Sequence, residues 1–151
     1  MARLVKRLRS GRYQIKIDAE ERDLLRSLPG QLAELLGSDD PSLNRLFPTA
    51  YTHDPERNAE YHRLMRDDLL ERHRGALAVM TETIDALDLD EEQLLSWMRA
   101  VNQMRLVLGT RLDVTEDMYD AGVDAGDPRA PAFALYSYLG FLQEHIVQAL
   151  A

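Results

Sequence analysis

The sequence feature that most restricts the fold is a change in the spacing of apolar residues at Asp18. Before this position, Tyr13, Ile15 and Ile17 alternate with polar residues, which is the period of a half-buried strand. After it, apolar residues recur every three to four positions, which is the period of an amphipathic helix. A Ser10-Gly11 pair predicts a tight turn within the first segment. The chain is therefore expected to begin with a β-hairpin and to continue as helices.

Two helices are expected directly after the hairpin. Asp18 is placed to cap the first, and Gly37 is placed to end it. Pro29 lies inside this helix and predicts a kink or a short break, because proline removes a backbone hydrogen bond. Asp54-Pro55 then opens a second, long helix that contains no further proline.

The third helix is expected to run through the centre of the domain. Asp90 and Gln93 match a capping box at its start, and its apolar residues occupy more than one stripe. Residues 113–130 are predicted to be loop or weak helix, followed by a last helix over about 131–150. The predicted fold is a single, mainly α domain over residues 1–151. It consists of the hairpin and a bundle of four or five helices around one central buried helix.

Charge divides the chain at the same boundary as the periodicity. Residues 1–17 carry six basic side chains and no acidic one, whereas residues 18–151 carry 26 acidic and 12 basic side chains. Because the acidic body repels polyanions, general nucleic-acid binding is not expected. The basic arm either contacts DNA, an acidic partner or its own body, or forms a solvated edge that discourages strand pairing. Its candidate contact residues are Arg3, Lys6, Arg7, Arg9 and Arg12.

Several kinds of chemistry have no support in the sequence. There is no cysteine, so disulfides, thiolate metal sites and thiol catalysis are excluded within these 151 residues. No glutamate is followed by histidine at the di-iron spacing, and the four histidines lack the spacing of a helical zinc pair. No phosphate loop or serine elbow is found. These observations favour a non-enzymatic protein without metal or cofactor.

The same reading predicts a cytoplasmic protein that does not contact membranes. No apolar run approaches the roughly 20 residues of a membrane span. The first ten residues are too charged for the apolar region of a signal peptide.

The most informative polar residues lie on the predicted central helix. Asn102, Arg105 and Gly109 are three and four residues apart and share one face, and Arg111 lies half a turn away. An arginine buried in a core needs a carboxylate partner, because an uncompensated buried charge costs several kcal/mol. The candidate carboxylates are Asp67, Asp68, Glu71 and Glu144. The arginines either form a buried ion pair that sets helix register or line a groove for an acidic partner segment.

Two aromatic residues of the last helix, Tyr136 and Phe141, lie off its main apolar stripe. They are candidates for a homodimer or partner contact.

The central helix also carries a family likeness. From Trp97 to Gly109 it matches the pattern W-x-x-A-x-N-x-x-R-L-x-L-G, which resembles the signature of the AosR-like proteins of actinobacteria. The likeness continues through residues 45–51, 61–69 and 139–144. The candidate cluster for partner binding or structure is accordingly Trp97, Asn102, Arg105, Gly109 and Arg111.

This resemblance implies a regulator rather than an enzyme. It implies an oxidative-stress transcriptional regulator that contacts an alternative sigma factor or another polymerase component. The family is often encoded near the ClpS protease adaptor, so an accessory or adaptor role in Clp proteolysis is the alternative, and a small-molecule-binding domain is a third. Redox sensing in the family is attributed to a cysteine pair. Since these 151 residues contain no cysteine, a disulfide switch cannot operate within them.

Overall fold

A computed structural model describes residues 3–47, 55–113 and 124–151 of the chain. Within these ranges lie two strands, one 3₁₀ turn and four α-helices. In chain order they are β1 (Val5–Arg7), β2 (Tyr13–Ile15), α1 (Ala19–Leu36), the 3₁₀ turn (Pro41–Leu43), α2 (Pro55–Thr83), α3 (Glu91–Leu112) and α4 (Ala130–Leu150). The prediction of a mainly α fold with an N-terminal hairpin is confirmed. The predicted cap at Asp54 and the predicted loop at 114–123 lie outside the described residues.

The hairpin forms where the alternating pattern predicted it. β1 and β2 are antiparallel, with Val5 opposite Ile15 and Arg7 opposite Tyr13. Gly11 has a φ of 86°, a left-handed conformation that glycine adopts without strain at a tight turn. Val5, Tyr13 and Ile15 are buried, so one face of the hairpin belongs to the core.

The hairpin is fixed to the helical body on two sides. Tyr13 and Leu89 exchange backbone hydrogen bonds of 2.8 and 2.7 Å, which attaches β2 to the connection between α2 and α3. The Leu4 N–H donates to His145 Nδ1 at 2.8 Å, which attaches the start of β1 to α4. The basic arm is therefore a docked element with a defined orientation.

Local capping signals place the starts of α1 and α3. Asp18 accepts a hydrogen bond from the Glu21 N–H at 2.8 Å. Asp90 and Gln93 form the reciprocal capping box, with bonds of 2.8 and 2.9 Å. Of the two expected outcomes at Pro29, a kink or a short break, the break is absent, because α1 continues through this residue from Ala19 to Leu36. The Pro29 ring is buried, and this apolar burial offsets the missing hydrogen bond.

α3 lies at the centre of the bundle, as predicted, and packs against α2, α4, α1 and the 3₁₀ turn. Trp97 on α3 is fully buried, and its indole Nε1 donates to Thr83 Oγ1 at 2.7 Å. The Thr83 hydroxyl in turn donates to the Val79 carbonyl at 2.7 Å. A chain of two hydrogen bonds therefore satisfies the polar atom of the largest buried side chain.

Thr83→Val is expected to lower the free energy of unfolding by about 1–3 kcal/mol, because the buried indole N–H of Trp97 loses its acceptor. Urea unfolding followed by the fluorescence of Trp97, the chain's single tryptophan, measures this loss. Thr81→Val is the matched control, since Thr81 is exposed and makes the same kind of bond to the Leu77 carbonyl. Its effect is expected to stay within about 0.5 kcal/mol. Equal losses at the two positions would contradict this role of Thr83.

Candidate functional site

The five residues of the central-helix cluster point in different directions from α3. Trp97 faces α2, Arg105 and Gly109 face α4, and Arg111 faces the 3₁₀ turn. Asn102 is half-buried, and its side chain has no hydrogen-bond partner among the described residues. The cluster is thus several interhelical contacts rather than one site.

Arg105 is held against α4 by neutral groups. Its Nη1 donates to Gln143 Oε1 at 2.8 Å, and its Nη2 donates to the Tyr136 hydroxyl at 3.4 Å. The guanidinium carbon also lies 5.1 Å from the centre of the Tyr136 ring, within cation–π range. The prediction of a carboxylate partner for Arg105 is wrong, because no carboxylate among the described residues pairs with it. The residue as a whole is half-buried, and its Nε is enclosed without a hydrogen-bond partner among the described residues.

Two glycines create the space for this contact. A Cβ at Gly109 would stand 3.1 Å from Cε2 of Tyr136, and a Cβ at Gly140 would stand 3.3 Å from Nε of Arg105. Any larger side chain at either position would push the ring or the guanidinium away. Gly109 therefore admits a neighbouring aromatic ring.

Arg111 forms an ion pair, but with a carboxylate outside the predicted set. Its Nη2 lies 3.3 Å from Asp40 Oδ2, and its Nε donates to Ser42 Oγ at 3.2 Å. The candidates Asp67, Asp68, Glu71 and Glu144 are therefore corrected to Asp40. Half of the Arg111 side chain is exposed, so the pair lies at the surface and ties the end of α3 to the 3₁₀ turn.

Hydrogen bonds from Ser42 are the main cause of a lowered pKa at Asp40. Hydrogen bonds from its hydroxyl and its backbone N–H, together with the charge of Arg111, hold the pKa of Asp40 below its usual value. The ionised carboxylate is therefore favoured in the folded state.

Sequence reasoning does not find the contact of Arg105 with Tyr136, Gly140 and Gln143 of α4, and it assigns Tyr136 to a homodimer or partner contact. These three residues of α4 are four and three positions apart and so share one helix face. Asn102, Arg105 and Gly109 on α3 have the same two spacings in the reverse order, three and then four. The matching spacings were a usable signal that the two faces pack together.

A cavity of about 310 Å³ lies between α1, α3 and α4. Its lining is mainly leucine, and Gln31 and Arg111 are its polar residues. Asn102 and Arg105 do not line it. Among the described residues, no three potential metal ligands cluster.

The basic side chains of the hairpin form a second candidate surface, here called the basic face. Arg3, Lys6, Arg7 and Arg9 are exposed, and no described carboxylate lies within ion-pair distance of them. Arg12 differs, because its Nε lies 2.6 Å from Asp88 Oδ1. Side chains alternate along β1, so Lys6 lies on the side of the hairpin away from the core, whereas Arg3 and Arg7 line a pocket beside α4 together with Val5 and His145. The four exposed charges of the basic face therefore lie on both sides of a docked hairpin.

Fold and site together define a helical bundle with a docked basic hairpin. The chain belongs to the family described as Domain of unknown function (DUF2017), which matches residues 2–150. The resemblance to AosR-like proteins is also confirmed. No solved structure matches the chain. None of the described helices is long and apolar enough to cross a membrane.

Curated relatives give this family a functional context. The chain is 31% identical over 129 residues to the "Putative oxidative stress regulator AosR" of Mycobacterium leprae, an alignment that covers 74% of this chain and 59% of the relative. It is 28% identical over 128 residues to the "Oxidative stress regulator AosR" of Mycobacterium bovis and of Mycobacterium tuberculosis. Each of these two alignments covers 74% of this chain and 58% of the relative. The chain thus spans less than two thirds of the length of these relatives.

Gly109→Ala is expected to destabilise the fold by about 1 kcal/mol or more, because the added methyl displaces the Tyr136 ring from Arg105. Gly30→Ala is the matched control, since Gly30 is an exposed residue of α1 whose Cβ would meet nothing within 4 Å. Helix propensity predicts a gain of about 0.5–1 kcal/mol there. Chemical denaturation measures both variants, and Tyr136→Leu should relieve the cost at Gly109. Similar gains in the free energy of unfolding for both glycine variants would show that the Tyr136 ring is not held in place at Gly109.

Asp40→Asn is expected to lower the Tm near neutral pH, with the difference shrinking as the pH falls below 3.8. Because the pKa of Asp40 is lowered in the folded state, its stabilisation is present above the ordinary value of 3.8 and is lost as pH falls through the folded value. Thermal melts across pH test this, with the exposed neighbour Asp39→Asn as control. A Tm difference that persists unchanged in acid would contradict the assignment of this stabilisation to the ionised carboxylate of Asp40.

Proposed function

We propose that this protein is a non-enzymatic, cytoplasmic regulator in the oxidative-stress response. It acts by contact with a protein of the transcription machinery, in the first place an alternative sigma factor. The names of the curated relatives support the regulatory role. The observation that carries the contact is the basic face, whose exposed Arg3, Lys6, Arg7 and Arg9 have no carboxylate partner among the described residues of an otherwise acidic chain.

The charge distribution favours an acidic protein segment over nucleic acid as the occupant of the basic face. Four exposed basic side chains without partners suit a short acidic segment, whereas the remaining acidic body repels a long polyanion. The hairpin also favours binding because its backbone is already hydrogen-bonded to α4 and to the α2–α3 connection. Little conformational entropy is then lost on association.

Oxidant sensing by a disulfide switch in this regulator would have to occur outside these 151 residues. The chain has no cysteine with which to form a disulfide. Met104 is buried on α3 and is thereby shielded from oxidation, whereas Met65 on α2 is exposed.

A second candidate function is small-molecule binding in the cavity between α1, α3 and α4. Its 310 Å³ is at the lower end of the range for ligand sites, roughly 300–1,000 Å³. The apolar lining with Arg111 at hand suits a small apolar carboxylate. Arg111 would have to exchange Asp40 for this ligand, which weakens the candidate relative to the basic face.

Affinity capture from extract of the source organism tests the proposal, with the bound proteins identified by mass spectrometry. The unmodified protein is expected to enrich a sigma factor or polymerase subunit. A variant with Lys6, Arg7 and Arg9 changed to glutamine should capture at least about tenfold less, because it removes about 1.4 kcal/mol or more of charge attraction. Added salt should weaken capture in the same direction.

The matched control changes Arg45, Arg63 and Arg74 to glutamine, since these three arginines are also exposed but lie elsewhere. Undiminished capture by the hairpin variant, or an equal loss in the control, would rule out the basic face. Recovery of a Clp component in place of the transcription machinery would favour the adaptor role.

A further inference from the structure

α2 carries two helical stripes that face different directions. The core stripe, which includes Leu77 and Met80, is buried. A second stripe recurs at alternating steps of four and three residues, the heptad spacing that keeps side chains facing a partner helix. We call it the outer stripe, and it consists of Tyr61, Met65, Asp68, Arg72, Gly75 and Val79.

The first half of the outer stripe is apolar and uncovered. Tyr61 and Met65 are 49% and 40% exposed, and Leu64 beside them is 67% exposed. Three large apolar side chains this close together on one helix face are typical of an interaction surface.

The second half of the outer stripe borders an empty groove. A groove of about 560 Å³ lies between α2 and α3, with Gly75, Ala76 and Val79 among the residues of its lining. A Cβ at Gly75 would meet nothing within 4 Å. Nothing described in this chain therefore uses the space that this glycine leaves, although glycine weakens a helix interior.

The two halves of the outer stripe have complementary shapes when a second copy of the stripe runs antiparallel to the first. Tyr61 and Val79 are equidistant from Leu70, as are Met65 and Gly75. An antiparallel second copy would therefore place the large Met65 opposite the vacant space at Gly75, and Tyr61 opposite the smaller Val79. A two-fold axis would pass near Leu70 and repeat each contact, as an isologous interface requires.

The charged residues of the outer stripe obey the same symmetry. Asp68 and Arg72 are also equidistant from Leu70, and they form an exposed pair of 3.0 Å within one chain. In the antiparallel arrangement each carboxylate would also meet the guanidinium of the second copy. Opposite charges at the middle of an otherwise apolar seam fix the register and direction of helix pairing.

We propose that the outer stripe of α2 is a homodimer interface, in which α2 of one copy packs antiparallel to α2 of a second copy. In this arrangement large residues of one copy face small residues of the other, and acidic residues face basic ones, which favours a second copy of the chain as the occupant of this surface. The surface is distinct from Tyr136 and Phe141, which contact Arg105 and His145 within their own chain. It also lies on a different element from the basic face, so the dimer and the proposed function can fail independently.

Sedimentation velocity of the purified protein tests the dimer directly. Asp68→Arg and Arg72→Asp should each weaken dimerisation at least about tenfold, because like charges then face each other across the axis. The double variant D68R/R72D restores opposite charges and should recover the dimer. Gly75→Leu should also weaken it about tenfold or more by filling the space for Met65. Leu87→Lys is the control, since Leu87 is 88% exposed and lies off the stripe.

Disulfide trapping supplies a second measurement, which the absence of native cysteine makes specific. In a Met65→Cys/Gly75→Cys variant the two positions are about 15 Å apart along one helix, too far for an intrachain bond. Oxidation should therefore yield a covalent dimer, whereas the off-stripe pair Arg66→Cys/Arg74→Cys should not. Circular dichroism confirms that each variant is folded.

A monomer at about 100 μM, a concentration at which even a micromolar dimer would be populated, would overturn the proposal. So would a dimer that ignores the charge reversals, or equal trapping of the two cysteine pairs.

Discussion

The structure depends on the central position of α3, and in particular on the complete burial of Trp97. A helix enclosed by neighbours must bury apolar side chains on several faces and must satisfy each buried polar atom from within the protein. The indole N–H meets this requirement through Thr83, whose hydroxyl is itself bonded to a carbonyl of α2. The position of α3 then determines where α2 and α4 can pack.

The α3–α4 interface shows how a charged residue is accommodated without a carboxylate. Arg105 is wrapped by an amide, a hydroxyl and an aromatic ring, and Gly109 and Gly140 leave room for these groups. Because the residue is only half-buried, the desolvation cost that would demand an ion pair is not fully incurred, although its Nε is enclosed without a hydrogen-bond partner among the described residues. Most of the family-like residues of α3 thus hold helices together, which leaves outward surfaces as the places for recognition.

Two such surfaces differ in their chemistry. The basic face is polar, presented by a short hairpin that the body holds in place, and suits an acidic protein segment. The outer stripe of α2 is apolar with one central ion pair and suits a second copy of the same helix. A regulator with both surfaces could bind its partner as a dimer, and the second basic face would then raise the effective concentration for binding.

The sequence by itself determined the elements, because their signals act over a few residues. The alternation before Asp18, the Asp90–Gln93 capping box and the start of a long helix at Pro55 each predicted a local structure that is present. Only the tertiary structure decided that Arg105 meets Tyr136 and Gln143, that Arg111 meets Asp40, and that α1 continues through Pro29. Such outcomes depend on which faces of distant helices are brought together, and on how much water each contact excludes, and neither is encoded in local spacing.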